Sequence, residues 1–277
     1  MPKVDLHTHS TVSDGRLSPS ALVERAVAMG VGVMALTDHD NVSGIAEAEA
    51  AGKRLGLKLI AGVEISADYE PGTMHILGLG IDPADEQLLL RLDFLQAARR
   101  ERNPKVIQKL RALGIDVTLG EVEALAGSRQ VGRPHFAQAL LNRKVVSSFE
   151  EAFQRFLGKG CPAYVPKTRL PSKESIDLIH AAGGLAILAH PIQLKLEGEK
   201  LEALVKSLRD QGLDGLEVFH SDHDAKHEAI FSDLAKRLGL RISGGSDYHG
   251  IPGRSAELGH PALDEALALE LFSEYSR

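Results

Sequence analysis

Histidines in this chain fall at particular places. The chain has 12 of them, and many stand beside short apolar runs of strand length. His7-Thr8-His9 closes the first run and Thr37-Asp38-His39-Asp40 the second. Val63-Glu64 ends the third, and His75 opens the fourth. Ala189-His190-Pro191 ends the fifth, Glu217-Val218-Phe219-His220 the sixth, and Ser246-Asp247-Tyr248-His249 follows the seventh. A single histidine at a strand end is ordinarily a satisfied polar residue. Six such segments, with Glu64 and Asp247 alongside, would burden stability unless they met a ligand, because buried polar and charged groups must be paired or coordinate a metal. His7 and His9 are two apart on a strand, so both rings face the same side and can chelate one ion. Imidazoles mixed with carboxylates, without thiolates, suit Mn²⁺, Fe²⁺ or Zn²⁺, and metal-assisted hydrolysis is one chemistry such a set can support.

The elements that must gather these residues alternate. Strands are predicted over 3–7, 31–37, 58–63 and 74–79, with helices from Ser18-Pro19 to about Gly30 and over 44–55. Ser18 followed by Pro19 has the form of an N-cap with proline in the first helical position. The rhythm stops at about residue 85. Residues 85–160 read as helical, with a long amphipathic stretch over 88–113 broken near Pro104, and shorter helices near 121–126, 134–141 and 149–157. It resumes with a helix at 172–182, strands at 185–189, 213–219 and 240–243, and helices at 200–211 and 226–238. Short, near-continuous apolar runs suit buried, mostly parallel strands. Seven strands point to an α/β fold, a (β/α) barrel, with a doubly wound open sheet as the alternative. In either, the carboxyl ends of the parallel strands share one face, where sites are built. The expected organisation is a barrel of residues 1–84 and 161–277 carrying an inserted helical substrate-binding subdomain of 85–160.

Composition narrows the partners. The net charge of −6, the absence of Trp and an aromatic content of 4% speak against tracking long nucleic acid by charge or base stacking. No apolar run approaches the roughly 20 residues that span a bilayer, and Met1-Pro2-Lys3-Val4-Asp5 shows no signal-peptide pattern, so no membrane partner and a cytoplasmic location are expected. Cys161 is the sole cysteine, which excludes an intrachain disulfide and a zinc–thiolate cluster.

As a set, His7-Thr8-His9, Thr37-Asp38-His39, Gly62-Val63-Glu64, Leu188-Ala189-His190-Pro191 and Gly245-Ser246-Asp247-Tyr248-His249 resemble the motifs of the polymerase and histidinol phosphatase (PHP) family. The resemblance implies a distorted seven-stranded (β/α) barrel with a trinuclear metal centre, Mn²⁺ foremost. It implies one ion on His7, His9, Glu64 and Asp247, a second on Glu64, His75 and His190, and a third on Asp14, His39 and His249. Gly132-Arg133-Pro134-His135, Ala163-Tyr164-Val165-Pro166-Lys167 and His223 resemble a branch of nucleotide phosphoesterases that includes 3′,5′-nucleotide bisphosphate phosphatases and a 5′-to-3′ exonuclease of short RNA. That implies Arg133 and His223 as phosphate ligands. His135 and Lys167 are further candidates for substrate contact.

Nine ligands of this kind comprise three carboxylates and six neutral imidazoles, so three divalent ions would leave a local charge near +3. Such a cationic hole in an acidic chain draws in a small phosphate. Water activated by paired ions would attack phosphorus in line, and Arg133 would help hold the phosphoryl oxygens. The leaving oxygen needs a proton or a metal, for which Asp247, His249 and His223 are candidates. The expected function is hydrolysis of a small nucleotide's phosphate monoester, the 3′-phosphate of a 3′,5′-bisphosphonucleotide, or release of nucleotides from the 5′ end of short RNA. Two alternatives stand beside it: a histidinol phosphatase, and a noncatalytic metal-binding module associated with a polymerase. His180, His227 and His260 read as packing or surface residues. Arg99-Arg100-Glu101-Arg102 reads as a solvated helix face that could flank an entry path.

Overall fold

The computed structural model describes residues 2–127, 131–251, 256–261, 263 and 265–272. Two compact units emerge, one of Met1–Leu90 with Arg169–Arg277 and one of Arg91–Thr168.

Among the described residues the first unit contains seven strands: β1 (Lys3–Asp5), β2 (Val31–Leu36), β3 (Lys58–Ala67), β4 (Met74–Leu79), β5 (Leu185–Leu188), β6 (Gly215–His220) and β7 (Arg241–Gly245). They pair in sequence order. All pairs are parallel except those of β4, which is antiparallel to both β3 and β5. The two ends of the sheet also meet: Leu6 N–H donates to the Gly244 carbonyl (3.2 Å), Asp247 N–H to that of His7 (2.9 Å) and His9 N–H to that of Tyr248 (3.0 Å). These bonds close the sheet into a distorted barrel and remove the doubly wound alternative, whose edge strands stay apart. Closure needs a residue without a side chain. A Cβ on Gly245 would lie 2.4 Å from the His7 nitrogen, so only glycine lets β7 approach β1 this closely. Val4, Leu6, Leu77, Leu79, Leu185 and Ile187 belong to the core beneath the strand ends.

Helices α1 (Pro19–Ala28) and α2 (Ile45–Leu55) connect the first three strands. Ser18 caps α1 by accepting from Ala21 N–H at 3.2 Å, a contact worth about 1 kcal/mol. α3 (Glu86–Ala112) runs from the first unit into the second. The break expected near Pro104 does not occur. Proline removes one helical donor, but Leu92, Leu95, Val106 and Ile107 are buried on both sides of it, and that burial carries the helix through.

The second unit continues with α4 (Leu119–Ala126), α5 (Arg133–Asn142) and α6 (Phe149–Ala152), the last followed by a π-turn at Phe153–Leu157. It has its own core, with Leu110, Phe136, Leu140 and Leu157 among its residues. In the first unit, α7 (Ser172–Ala181), α8 (Gly198–Asp210), α9 (Ala225–Leu238) and α10 (Glu265–Leu271) complete the barrel's helices. Among the described residues no helix is long and apolar enough to cross a membrane.

Candidate metal centre

The nine candidate ligands, all in the first unit, meet at one end of the barrel. His7 and His9 extend from β1. Their Nε2 atoms both approach Glu64 Oε2 (3.4 and 3.2 Å) and Asp247 Oδ1 (3.4 and 3.0 Å). Glu64, within β3, turns its other oxygen to His75 Nδ1 (2.7 Å) and His190 Nε2 (2.9 Å), which are themselves 3.3 Å apart. His75 begins β4 rather than ending it. It reaches the same face because β4 runs antiparallel to its neighbours. A third group joins Asp14, His39 and His249, with His9 beside them. Asp14 Oδ1 lies 3.1 Å from His249 Nε2, and its Oδ2 lies 3.9 Å from His39 Nε2. His39 also offers Nδ1 to Glu64 Oε2 at 2.8 Å, so it borders two of the three groups.

The loops bearing these ligands are fastened by buried carboxylates. Asp38 accepts from Ser10 N–H (2.8 Å), Ser10 Oγ (2.6 Å) and Ser13 Oγ, which fixes the turn leading to Asp14. Asp5 accepts from Ser246 N–H (2.9 Å), Ser246 Oγ (2.7 Å) and Gly259 N–H (2.8 Å), which fixes the turn leading to Asp247. Asp40 accepts from Ser66 N–H at 3.0 Å. Asp40, His190 and Asp247 all adopt positive φ (50°, 27° and 53°). Non-glycine residues hold such conformations only where their surroundings impose them, commonly at functional sites.

His7 Nε2, His9 Nε2, Glu64 Oε2 and Asp14 Oδ1 are shielded from solvent and make no hydrogen bond. Buried polar atoms are nearly always bonded. Several bare lone pairs converging from an all-nitrogen and oxygen donor set therefore fit divalent cations of borderline hardness. Charge tells the same story. Burial opposes ionisation of Glu64, but His39, His75 and His7 around it hold its carboxyl well below the usual range. Asp247 is likewise held low against burial, by His249 and His7. Burial also opposes a charge on His9, yet the carboxylates of Asp247 and Glu64 beside its Nε2 lift its pKa to about 10. In His75, burial, aided by the neighbouring His39 and His190, pushes the pKa down to about 4.

His223 stands apart from these groups. Its Nδ1–H donates to the Val218 carbonyl (2.8 Å), its ring packs on Phe231, and it lies beside His220. Burial pushes its pKa to about 4. His220 is the nearer of the two to the ligands, with Nε2 3.6 Å from Asp247 Oδ2. Its Nδ1 accepts from Asp222 N–H at 3.0 Å, so the proton of the neutral ring lies on Nε2. Glu217 was missed in the sequence. It is fully buried and bonds His7 Nδ1. A carboxylate inside the apolar run of β6 was the available signal.

Arg133, His135 and Lys167 belong to the second unit. Arg133 starts α5, and its guanidinium lies 5.8 Å from the centroid of the Tyr164 ring. Arg102 is buried there, and burial together with Arg99 and Arg133 presses its pKa down to about 9. The second unit thus concentrates arginine charge. His135 Nδ1 accepts from Gly132 N–H at 2.9 Å, which caps α5. Lys167 is half-buried near the end of the unit.

A barrel whose strand ends gather imidazoles and carboxylates with bare lone pairs has the donor set of a metal-dependent enzyme. The chain belongs to the PHP domain family, which matches residues 5–158. It is 40% identical over 247 residues to a 5′-3′ exoribonuclease of Haemophilus influenzae, covering 89% of this chain and 90% of that one. It is 35% identical over 261 residues to a 3′,5′-nucleoside bisphosphate phosphatase of Chromobacterium violaceum, covering 94% and 92%. An amidohydrolase structure from Chromobacterium violaceum, solved with bound sulfate, superposes with a TM-score of 0.88 at 34% identity over 98% of this chain and 96% of that one. The protein is a metal-dependent phosphoesterase, a hydrolase of phosphoester bonds.

Proposed function

We propose that this protein hydrolyses a phosphate ester of a small nucleotide: the 3′-phosphate of a 3′,5′-bisphosphonucleotide, or successive nucleotides from the 5′ end of short RNA. The observation that carries this is the meeting of His7, His9, Glu64 and Asp247 around bare lone pairs, in a chain similar along nearly its whole length to enzymes of both kinds. His7, His9, Glu64 and Asp247 would hold one divalent ion, Glu64, His75 and His190 a second, and Asp14, His39 and His249 a third, with Mn²⁺ as the metal. Bound there, the ions would lower the pKa of water and draw charge from the phosphoryl oxygens.

The chain's own residues supply the rest. Glu64 and Asp247 stay ionised at neutral pH and keep the ligand nitrogens gathered. Asp247 and His223 therefore enter as acceptors at neutral pH, whereas His220, whose pKa Glu217 and Asp247 raise against burial, keeps a proton on the nitrogen facing Asp247. That makes His220 the better-placed donor toward a leaving oxygen. Arg133, with Arg99 and Arg102 in the same unit, presents a planar fork suited to a substrate phosphate.

The test is a parallel assay of Mn²⁺-loaded protein on 3′-phosphoadenosine 5′-phosphate, a short 5′-phosphorylated RNA and histidinol phosphate. Turnover of one or both nucleotide substrates is expected, abolished by dialysis against chelator and restored by Mn²⁺. Preference for histidinol phosphate, or full activity without metal, would overturn the proposal.

A further inference from the structure

We propose that Glu217 is a positioning residue of the metal centre, fixing the tautomer of His7 with one carboxylate oxygen and the backbone of His190 with the other. The inference rests on the metal-centre reading above. Glu217 lies in β6, whose parallel pairing with β5 sets Leu216 opposite Leu188. It is thereby carried to the level where β5 runs out into Ala189 and His190. Its side chain is fully buried, and a buried carboxylate persists only with partners for its oxygens. Both oxygens have one. Oε1 meets His7 Nδ1 at 2.9 Å, and Oε2 accepts from His190 N–H at 2.6 Å.

Each contact has a consequence for a ligand. An ionised carboxylate only accepts, so His7 must present Nδ1–H to it. The lone pair of neutral His7 is then confined to Nε2, the atom that lies 3.4 Å from both Glu64 Oε2 and Asp247 Oδ1. His190 is held at φ 27°, ψ 65°, in the left-handed region that a side chain disfavours. The bond from its N–H to Glu217 braces that turn while its Nε2 reaches Glu64 Oε1 at 2.9 Å. One carboxylate behind the site therefore sets two ligands that approach Glu64 through its two different oxygens. Outer partners of this kind typically govern 10–100-fold in metal affinity or activity.

Glutamine tests this cleanly. An amide can accept from His7 or from His190, never both, since its NH₂ must then face the other donor. Metal-stripped wild type, Glu217→Gln and Glu217→Asp are titrated with Mn²⁺, and the free aqua ion is counted by electron paramagnetic resonance. Circular dichroism checks that each variant is folded. The expected result is a 10–100-fold weaker dissociation constant for Glu217→Gln, a smaller loss for Glu217→Asp, and recovery of much of the turnover at saturating Mn²⁺. Wild-type affinity in a folded Glu217→Gln would overturn the role of Glu217 and leave the metal centre standing. A wild type that binds no Mn²⁺ would overturn both. Should the variants not fold, the unmodified protein still decides: Zn²⁺-loaded and ¹⁵N-histidine-labelled, it should show an exchange-protected His7 Nδ1–H resonance, and an Nε2–H in its place would defeat the proposal.

Discussion

Glutamine at position 64 would keep the side chain's shape and remove its charge. In the native chain five imidazole nitrogens lie 2.7–3.4 Å from the Glu64 oxygens. At the His9 separation of 3.2 Å, a unit charge pair is worth roughly 5 kcal/mol at an effective dielectric near 20. The metal-free protein need not lose all of that, because His9 can give up its proton instead. With a pKa of about 10, doing so at pH 7 costs about 4 kcal/mol. Asp247 remains 3.0 Å away and keeps part of the attraction. Glu64→Gln should therefore destabilise the metal-free fold by about 3 kcal/mol, at the low end for breaking a buried ion pair. Its effect on catalysis should be larger. Glu64 offers one oxygen to the His7–His9 group and the other to His75 and His190, so kcat/KM should fall by more than the roughly 100-fold that an outer partner can cost. Urea denaturation of metal-free protein gives the first quantity. Metal content by plasma mass spectrometry and turnover of a bisphosphonucleotide give the second. Unchanged stability together with full metal loading and turnover would refute the reasoning.

Stability of the metal-free protein should decline with rising pH. His9 is raised in the fold to about 10, so its contribution is complete below about pH 6.5 and fades as pH climbs through about 10; chemical denaturation at pH 7 and pH 10 measures the difference. Mn²⁺ affinity should rise over the same interval, because the ion displaces the His9 proton, and isothermal titration in buffers of different ionisation enthalpy should register that release. Gly245→Ala should press a methyl group against His7 and cost roughly 1–3 kcal/mol, seen as a lower Tm and weaker metal loading. Arg133→Lys should leave metal content intact and lower kcat/KM on a bisphosphonucleotide by roughly 10–100-fold, the worth of a charged hydrogen bond.

The strand ends were legible because ligands interrupt apolar runs at the points where the chain leaves the sheet. His7, His39, His190 and Asp247 could be placed on one face from that alone. The direction of β4 was not legible, since a short apolar run has no polarity. His75 at its beginning was the single hint, and hydrogen bonding to β3 and β5 resolves it. The double place of His39 was hidden because an imidazole carries two ligand atoms and sequence does not say which is used. Glu217 escaped notice because strand spacing says which face a residue takes but not what lies behind its neighbours. The helix through Pro104 survives on buried neighbours that local propensity does not count. The bracing role of the carboxylates Asp5, Asp38 and Asp40 was not legible, because only their serine partners in space show that they hold turns.

Anomalous scattering from a crystal soaked in Mn²⁺ tests the central claim most directly. Data collected on both sides of the manganese edge should show a peak bonded to His7, His9, Glu64 and Asp247, with further peaks toward His75 and His190 and toward Asp14 and His249. A map with no manganese peak among these side chains at saturating metal would contradict the account.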